Sequence, residues 1–173
     1  YRNNLNPKIS PKFSYVKNLK SKTYSLDKNN KCLVAVSGGK DSIVAAELLK
    51  EQGVDITAIF TEAQRGSDIV DNVINALGIK SLKFRRILDY KALQKHKYDG
   101  HVPVSAIFAF LGVLYAVLYK YSYCVMANEY SSNFGNVKYK GLIINHQWSK
   151  SSEFESMFRN YVDNFISSDV RYF

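Results

Sequence analysis

Cysteine, proline and histidine are scarce in this chain, and each scarcity excludes something. Two cysteines in 173 residues, Cys32 and Cys124, cannot build a disulfide framework. CxxC, HxxxH and HExxH spacings are all missing, so no zinc-site pattern is present. Both cysteines lie in apolar runs (CLVAV and YCVMA), where a buried, reduced thiol is expected. Three prolines and nine glycines exclude a collagen-like or linker protein. The basic start is followed by no apolar stretch of signal-peptide type, which points to a cytoplasmic chain. Long hydrophobic runs are nearly absent too. The longest uncharged segment, residues 102–119 (VPVSAIFAFLGVLYAVLY), is eighteen residues, the bottom of the membrane-spanning range. Pro103, Ser105, Gly112 and two tyrosines interrupt it, so a helix buried within an α/β domain is expected instead of a span.

What is present is globular. Hydrophobic residues make up 46% and aromatics 14%, enough to fill one core at this length but not two. The net charge of +9 is unevenly spread: residues 1–36 hold eight Lys/Arg and one Asp, and residues 37–173 hold sixteen and fourteen Asp/Glu. The basic excess therefore belongs to a leader, and a nucleic-acid groove on the rest of the chain is not required. Two regions are expected: a basic leader over 1–30, weakly structured or forming an edge strand near Phe13–Val16, and one domain over 31–173. The start at Tyr1 and the aromatic end VRYF suggest a chain truncated at its C-terminus. Oligomeric state is not legible.

Strands alternate with helices along the domain. Apolar β-branched runs predict strands at Lys31–Val36, Val54–Thr61, Leu82–Leu88 and Tyr123–Ala127. Helical spacing predicts Ile43–Gln52, closed by Gly53, and Ser67–Leu77, closed by Gly78. Pro103–Tyr121 reads as the long apolar helix, Asn136–Ile144 as a hairpin about Gly141, and Ser151–Phe165 as an amphipathic helix. This alternation implies an α/β fold with a doubly wound, mostly parallel sheet and helices on both faces.

The most informative residues are Ser37-Gly38-Gly39-Lys40-Asp41-Ser42, between the first strand and the first helix. Consecutive glycines let backbone N–H groups turn toward one point, and a helix start adds partial positive charge, so SGGKDS forms a phosphate cradle. Ser37 and Ser42 add hydroxyl donors and Lys40 a cation. Asp41 would repel phosphate unless it caps the helix or works through Mg²⁺. GxxxxGK[ST] is absent, so this is not a Walker loop. Three more clusters are rich in polar groups: GHVP (Gly100–Pro103), Ala127–Asn136, and Asn145–Ser151 continuing to Glu153 and Glu155. Loops after parallel strands gather at one sheet edge, which brings Asn128 and Glu129 near the glycine loop. Structural roles also suit several of these residues: a helix cap or solvent contact for His101, a helix start for Ser149 and Ser152, a solvated face for Glu153 and Glu155, and packing for Trp148. His96 lies in a lysine-rich stretch and is expected to be exposed.

SGGKDS resembles the PP-loop of the N-type ATP pyrophosphatases, matching SGGxDS at all six positions. The resemblance implies an adenine nucleotide alpha hydrolase-like fold, ATP as the nucleotide and Mg²⁺ as its metal. It implies that Ser37, Gly38, Gly39, Lys40, Asp41 and Ser42 hold the pyrophosphate end and that Asp41 serves as a metal ligand. In that superfamily a substrate oxygen attacks the α-phosphate, giving AMP and pyrophosphate. The second strand's end, Ile59, Phe60 and Thr61, would meet the adenosine, with Asn128 beside it. The blocks GHVPVSA, ANEYSSNFGN and NHQWSKSSEFE are similar to the UDP-N-acetylmuramoyl-L-alanyl-L-glutamate epimerase branch, from about Lys31 to Phe173. That branch implies a muramyl dipeptide-like carboxylate substrate; residue type and loop position make His101, Glu129 and His146 the acid/base candidates and Lys150 the candidate for stabilising the acyl phosphate or leaving pyrophosphate. Other readings stay open: a PP-loop enzyme modifying a nucleobase or tRNA, or an ATP-binding module without chemistry.

Overall fold

Five short runs rich in Val, Ile and aromatic residues pair into one sheet: β1 (Lys31–Ala35), β2 (Asp55–Glu62), β3 (Lys80–Arg85), β4 (Tyr123–Val125) and a last strand at Arg171–Tyr172. The computed structural model describes residues 3–6, 8, 10, 12–14, 23–62, 68–89, 91, 100 and 102–173. A separate antiparallel hairpin pairs β5 (Val137–Tyr139) with β6 (Leu142–Ile144), so the last strand is β7. Four helices pack around the large sheet: α1 (Lys40–Glu51), α2 (Asp68–Leu77), α3 (Val104–Tyr119) and α4 (Ser152–Phe165). Strand order is β3-β2-β1-β4-β7, and every neighbouring pair is parallel. The expected doubly wound α/β architecture is the one observed.

The period-2 alternation of β1 explains the layering. Cys32, Val34 and Val36 pack with Ala46, Val70, Ile74 and Leu77 beneath α1 and α2. Leu33 faces the other way, joining Ala109, Val113 and Ala116 of α3 and Phe154, Phe158 and Val162 of α4. A central strand buried on both faces has to be a continuous apolar run, as KCLVA is. Small residues Ala109, Gly112, Val113 and Ala116 form the buried face of α3, which lets that helix lie close to β4. A Cβ on Gly112 would stand 2.7 Å from Cys124 Sγ.

Three expectations need correction. The third strand starts and ends earlier than Leu82–Leu88, because Gly78, at φ 65°, turns the chain out of α2 at once. At its far end Arg86 N–H reaches the carbonyl of Glu62, the last residue of β2. The first helix starts at Lys40 instead of Ile43, since Gly39 is already the extended residue before it (φ −85°, ψ 155°). The apolar helix is buried on one side only, with Phe110, Leu114 and Leu118 exposed. It spans 16 residues, and among the described residues no helix is long and apolar enough to cross a membrane. Within residues 23–30, Tyr24 N–H donates to the Ile166 carbonyl, Leu26 N–H to Asp169 Oδ2 and Asn29 N–H to Ser122 Oγ. Of the strand expected near Phe13–Val16, Phe13 and Ser14 are irregular, and the rest lies outside the described residues.

Candidate active site

The sheet order reverses beside β1: β2 and β3 extend to one side, β4 and β7 to the other. Loops leaving the carboxyl ends of β1 and β4 therefore part and open a crevice, where α/β folds bind ligands. A cavity of about 340 Å³ occupies that position. One end of it is lined by Ser37, Gly39, Asp41 and Ser42, between β1 and α1.

The local sequence fits this arrangement. Gly38 adopts φ 83°, a backbone region that side chains disfavour, and a Cβ there would meet Ile69 Cγ2 at 3.1 Å. Gly39 precedes α1 and supplies no side-chain cap. The nearby Ser42 hydroxyl donates to the Gly39 carbonyl at 2.8 Å, closing the loop on itself without covering the first-turn amides. Those amides remain for an anion, and the helix dipole favours negative charge there. Asp41 sits in the first turn and lines the cavity, and it makes no hydrogen bond or ion pair among the described residues.

Ile59, Phe60 and Thr61 at the end of β2 form a second wall, and Asn128 after β4 a third. Lys150 reaches the cavity from the short turn Trp148–Lys150. The remaining expected residues fall elsewhere. Gly38 lies behind the loop against α2, and Lys40 is exposed on the first turn of α1, outside the cavity lining. Glu129 is exposed at the start of the turn Tyr130–Asn133. His146 is exposed, with Nδ1 2.7 Å from Asn136 Oδ1. Neither lines the cavity. His101 and His96 lie outside the described residues.

Several lining residues were not anticipated. Ser105, Phe108 and Gly112 come from α3, Ser149 from the short turn, and Tyr172 from β7. Ser105 belongs to the GHVPVSA block, so its neighbourhood was flagged even though the residue was not. Tyr172 had no usable signal, because a two-residue strand leaves no periodicity. Its ring is buried, and Asn128 hydrogen-bonds its hydroxyl. Burial pushes its phenol well above the usual tyrosine range, so the wall carries a neutral O–H. Arg159 holds the strand in place, donating from Nε to the Tyr172 carbonyl at 2.6 Å while pairing with Glu155.

One carboxylate beside a phosphate cradle suits Mg²⁺, which takes most of its ligands from phosphates and water. Among the described residues no cluster of three or more His, Cys, Asp or Glu could hold a metal unaided. Asp41 is the one carboxylate among the described lining residues and could hold a cation there.

UDP-N-acetyl-alpha-D-muramoyl-L-alanyl-L-glutamate epimerase of Xanthomonas oryzae pv. oryzae is 34% identical over 144 residues, covering 82% of this chain and 31% of that protein. The enzyme of the same name from Salinispora tropica is 35% identical over 144 residues, with the same shares. This chain thus spans about a third of the length of the relatives it matches. Among solved structures, NMN synthetase from Francisella tularensis superposes with a TM-score of 0.42 at 21% identity, over 59% of this chain and 46% of that one. The family described as the MurL N-terminal domain matches residues 1–173, and the chain belongs to it.

Proposed function

We propose that this chain is the ATP-binding part of an adenylating epimerase. The enzyme would activate the terminal L-glutamate of UDP-N-acetylmuramoyl-L-alanyl-L-glutamate and invert its α-carbon, for peptidoglycan synthesis. The observation that carries this reading is the meeting of Ser37, Gly39, Asp41 and Ser42 with Asn128 and Lys150 on one cavity at the switch point. The names of the relatives supply the substrate.

ATP is consumed as a substrate. A glutamate carboxylate oxygen bonds to the α-phosphorus while the bond to the pyrophosphate oxygen breaks. The acyl phosphate so formed no longer carries the carboxylate's charge beside the α-carbon, so its proton becomes far more acidic. A base removes that proton from one face, a proton returns to the other, and water releases AMP and the inverted carboxylate. In this scheme the first-turn amides of α1 and the Ser37 hydroxyl hold the β- and γ-phosphates. Asp41 supplies the carboxylate for Mg²⁺, which neutralises phosphate charge when bound. Phe60 and Thr61 flank the adenosine, with Asn128 opposite. Lys150 faces the charge that develops as pyrophosphate leaves. Proton transfer is assigned to His101, Glu129 and His146, candidates by residue type and loop position, although Glu129 and His146 stand outside the lining of the described cavity.

The test is incubation with ATP, Mg²⁺ and the UDP-muramoyl dipeptide in D₂O, following AMP, pyrophosphate and deuterium at the glutamate α-carbon. All three products are expected to appear together. Lys150→Ala should slow AMP formation by about a hundredfold. His101→Ala and His146→Ala should separate base from bystander by their deuterium uptake. AMP formation stimulated by tRNA and not by the muramoyl dipeptide would overturn the epimerase assignment. ATP retained without AMP for every acceptor would leave a binding module.

A further inference from the structure

A second concavity lies beside the first, between the turn Tyr130–Asn133, the β5–β6 hairpin and the segment around Trp148. It presents three aromatic rings where a soluble surface would ordinarily be polar. Tyr130 is 78% exposed and Phe134 61% exposed, and their rings meet edge to face at 5.4 Å. Trp148 is also exposed, yet it is held firmly: its Nε1–H donates to Glu153 Oε2 at 2.7 Å and its ring packs against Phe154.

The frame beneath these rings is cross-braced. Asn133 Oδ1 accepts from both the backbone N–H and the hydroxyl of Ser152, each at 2.8 Å. Asn145 Nδ2 donates to the Ser132 carbonyl at 2.7 Å, and the Ser132 hydroxyl donates to Gln147. Gly135 lies so close to β6 that a Cβ would collide with Ile143 and stand 3.1 Å from the Ile144 carbonyl. Exposed aromatics on a rigid frame are a preorganised stacking surface, since little motion has to be frozen on binding.

We propose that this groove binds the hexopyranose ring of the muramoyl substrate. The inference rests on the adenylating epimerase reading and deepens it. Two observations favour a sugar. Pyranose C–H faces stack on aromatic rings, and sugar hydroxyls donate to a carboxylate such as Glu153, which stands beside the indole. The groove is also continuous with the ATP cavity: Ser149 and Lys150 line the cavity, while their neighbours Trp148 and Ser151 line the groove. A glutamate at the α-phosphate would be followed by alanine and the lactyl ether. At about 3.5 Å per residue this places the sugar roughly 10 Å away, ahead of the uridine.

Trp148 is the only tryptophan in the chain, so its fluorescence reports on the groove directly. Four probes are titrated in turn: ATP with Mg²⁺, N-acetylmuramoyl-L-alanyl-L-glutamate, L-alanyl-L-glutamate, and UDP. The muramoyl dipeptide is expected to change the emission and to bind about tenfold more tightly than the bare dipeptide. Tyr130→Ala and Phe134→Ala should each weaken the muramoyl dipeptide about tenfold while leaving ATP affinity, measured by calorimetry, unchanged. Equal affinity for the two peptides, or no loss in both variants, overturns the sugar subsite while ATP binding still stands. An emission change with UDP alone assigns the groove to the uridine and also overturns it. Failure to bind ATP overturns the nucleotide reading instead.

Discussion

Gly38 carries two constraints at once. Its φ of 83° penalises any Cβ, and the space that a Cβ needs is taken by Ile69. Gly38→Ala is expected to destabilise the fold by about 1–2 kcal/mol and to lower ATP affinity more than tenfold. Urea unfolding and calorimetric titration would check the two parts. The cysteines present a different case. Burial pushes the Cys32 thiol up to about 12 and raises the Cys124 thiol as well, so both stay protonated at neutral pH. Neither should react with a thiol reagent at pH 8 until the chain is unfolded, and counting reactive thiols with and without denaturant checks this. The sign of the pH effect follows. Between the ordinary value of 9.0 and about 12, Cys32 ionises in the unfolded chain but not in the folded one. Its stabilising contribution is therefore complete below pH 9 and lost as pH rises toward 12, so Tm should fall across that window.

Helix α3 shows how one element can be legible in part. Its existence follows from an uncharged apolar run, but a run apolar on all sides does not say which side is buried. Packing decided that, through the small residues Ala109, Gly112 and Ala116 against β4. Gly112→Ala should push α3 away from Cys124 and Met126 at a cost of about 1–3 kcal/mol. Because Gly112 and Met126 also wall the cavity, ATP affinity should drop with it, and thermal melts with and without ATP would resolve both. Strand β7 marks the opposite limit. Two residues carry no period, and Tyr172 reaches the site only because β4 has a free edge at the right place. The glycine loop was readable since its chemistry is local: six consecutive residues specify turn, helix start and donors. The rest of the pocket joins residues from α3, β4, β7 and the Trp148 turn, and no local pattern encodes such a meeting.

At the scale of the whole molecule, the exposed residues of α3 and α4 form one surface. Phe110, Leu114 and Leu118 recur every four residues on α3, and Met157, Tyr161 and Phe165 do the same on α4. Phe110 and Tyr161 join the two rows with rings 5.7 Å apart. A contiguous exposed apolar surface of this kind favours association. Leu118, 62% exposed, contributes little to the core, so Leu118→Lys should raise the concentration at which the chain stays monomeric without lowering Tm. Sedimentation at several concentrations, with a thermal melt of the same variant, checks both halves.

The strand order also sets when the cavity can exist. β1 must wait for β4, where Cys32 pairs with Tyr123, and β4 must wait for Arg171 and Tyr172. Such contacts between distant stretches form slowly, because loop closure precedes the reward of pairing. The glycine loop lies early in the chain, but its cavity lacks Tyr172 until the last strand docks. A nucleotide bound there stabilises only the finished sheet. ATP would thus act on this chain as a seal on folding as well as a reactant.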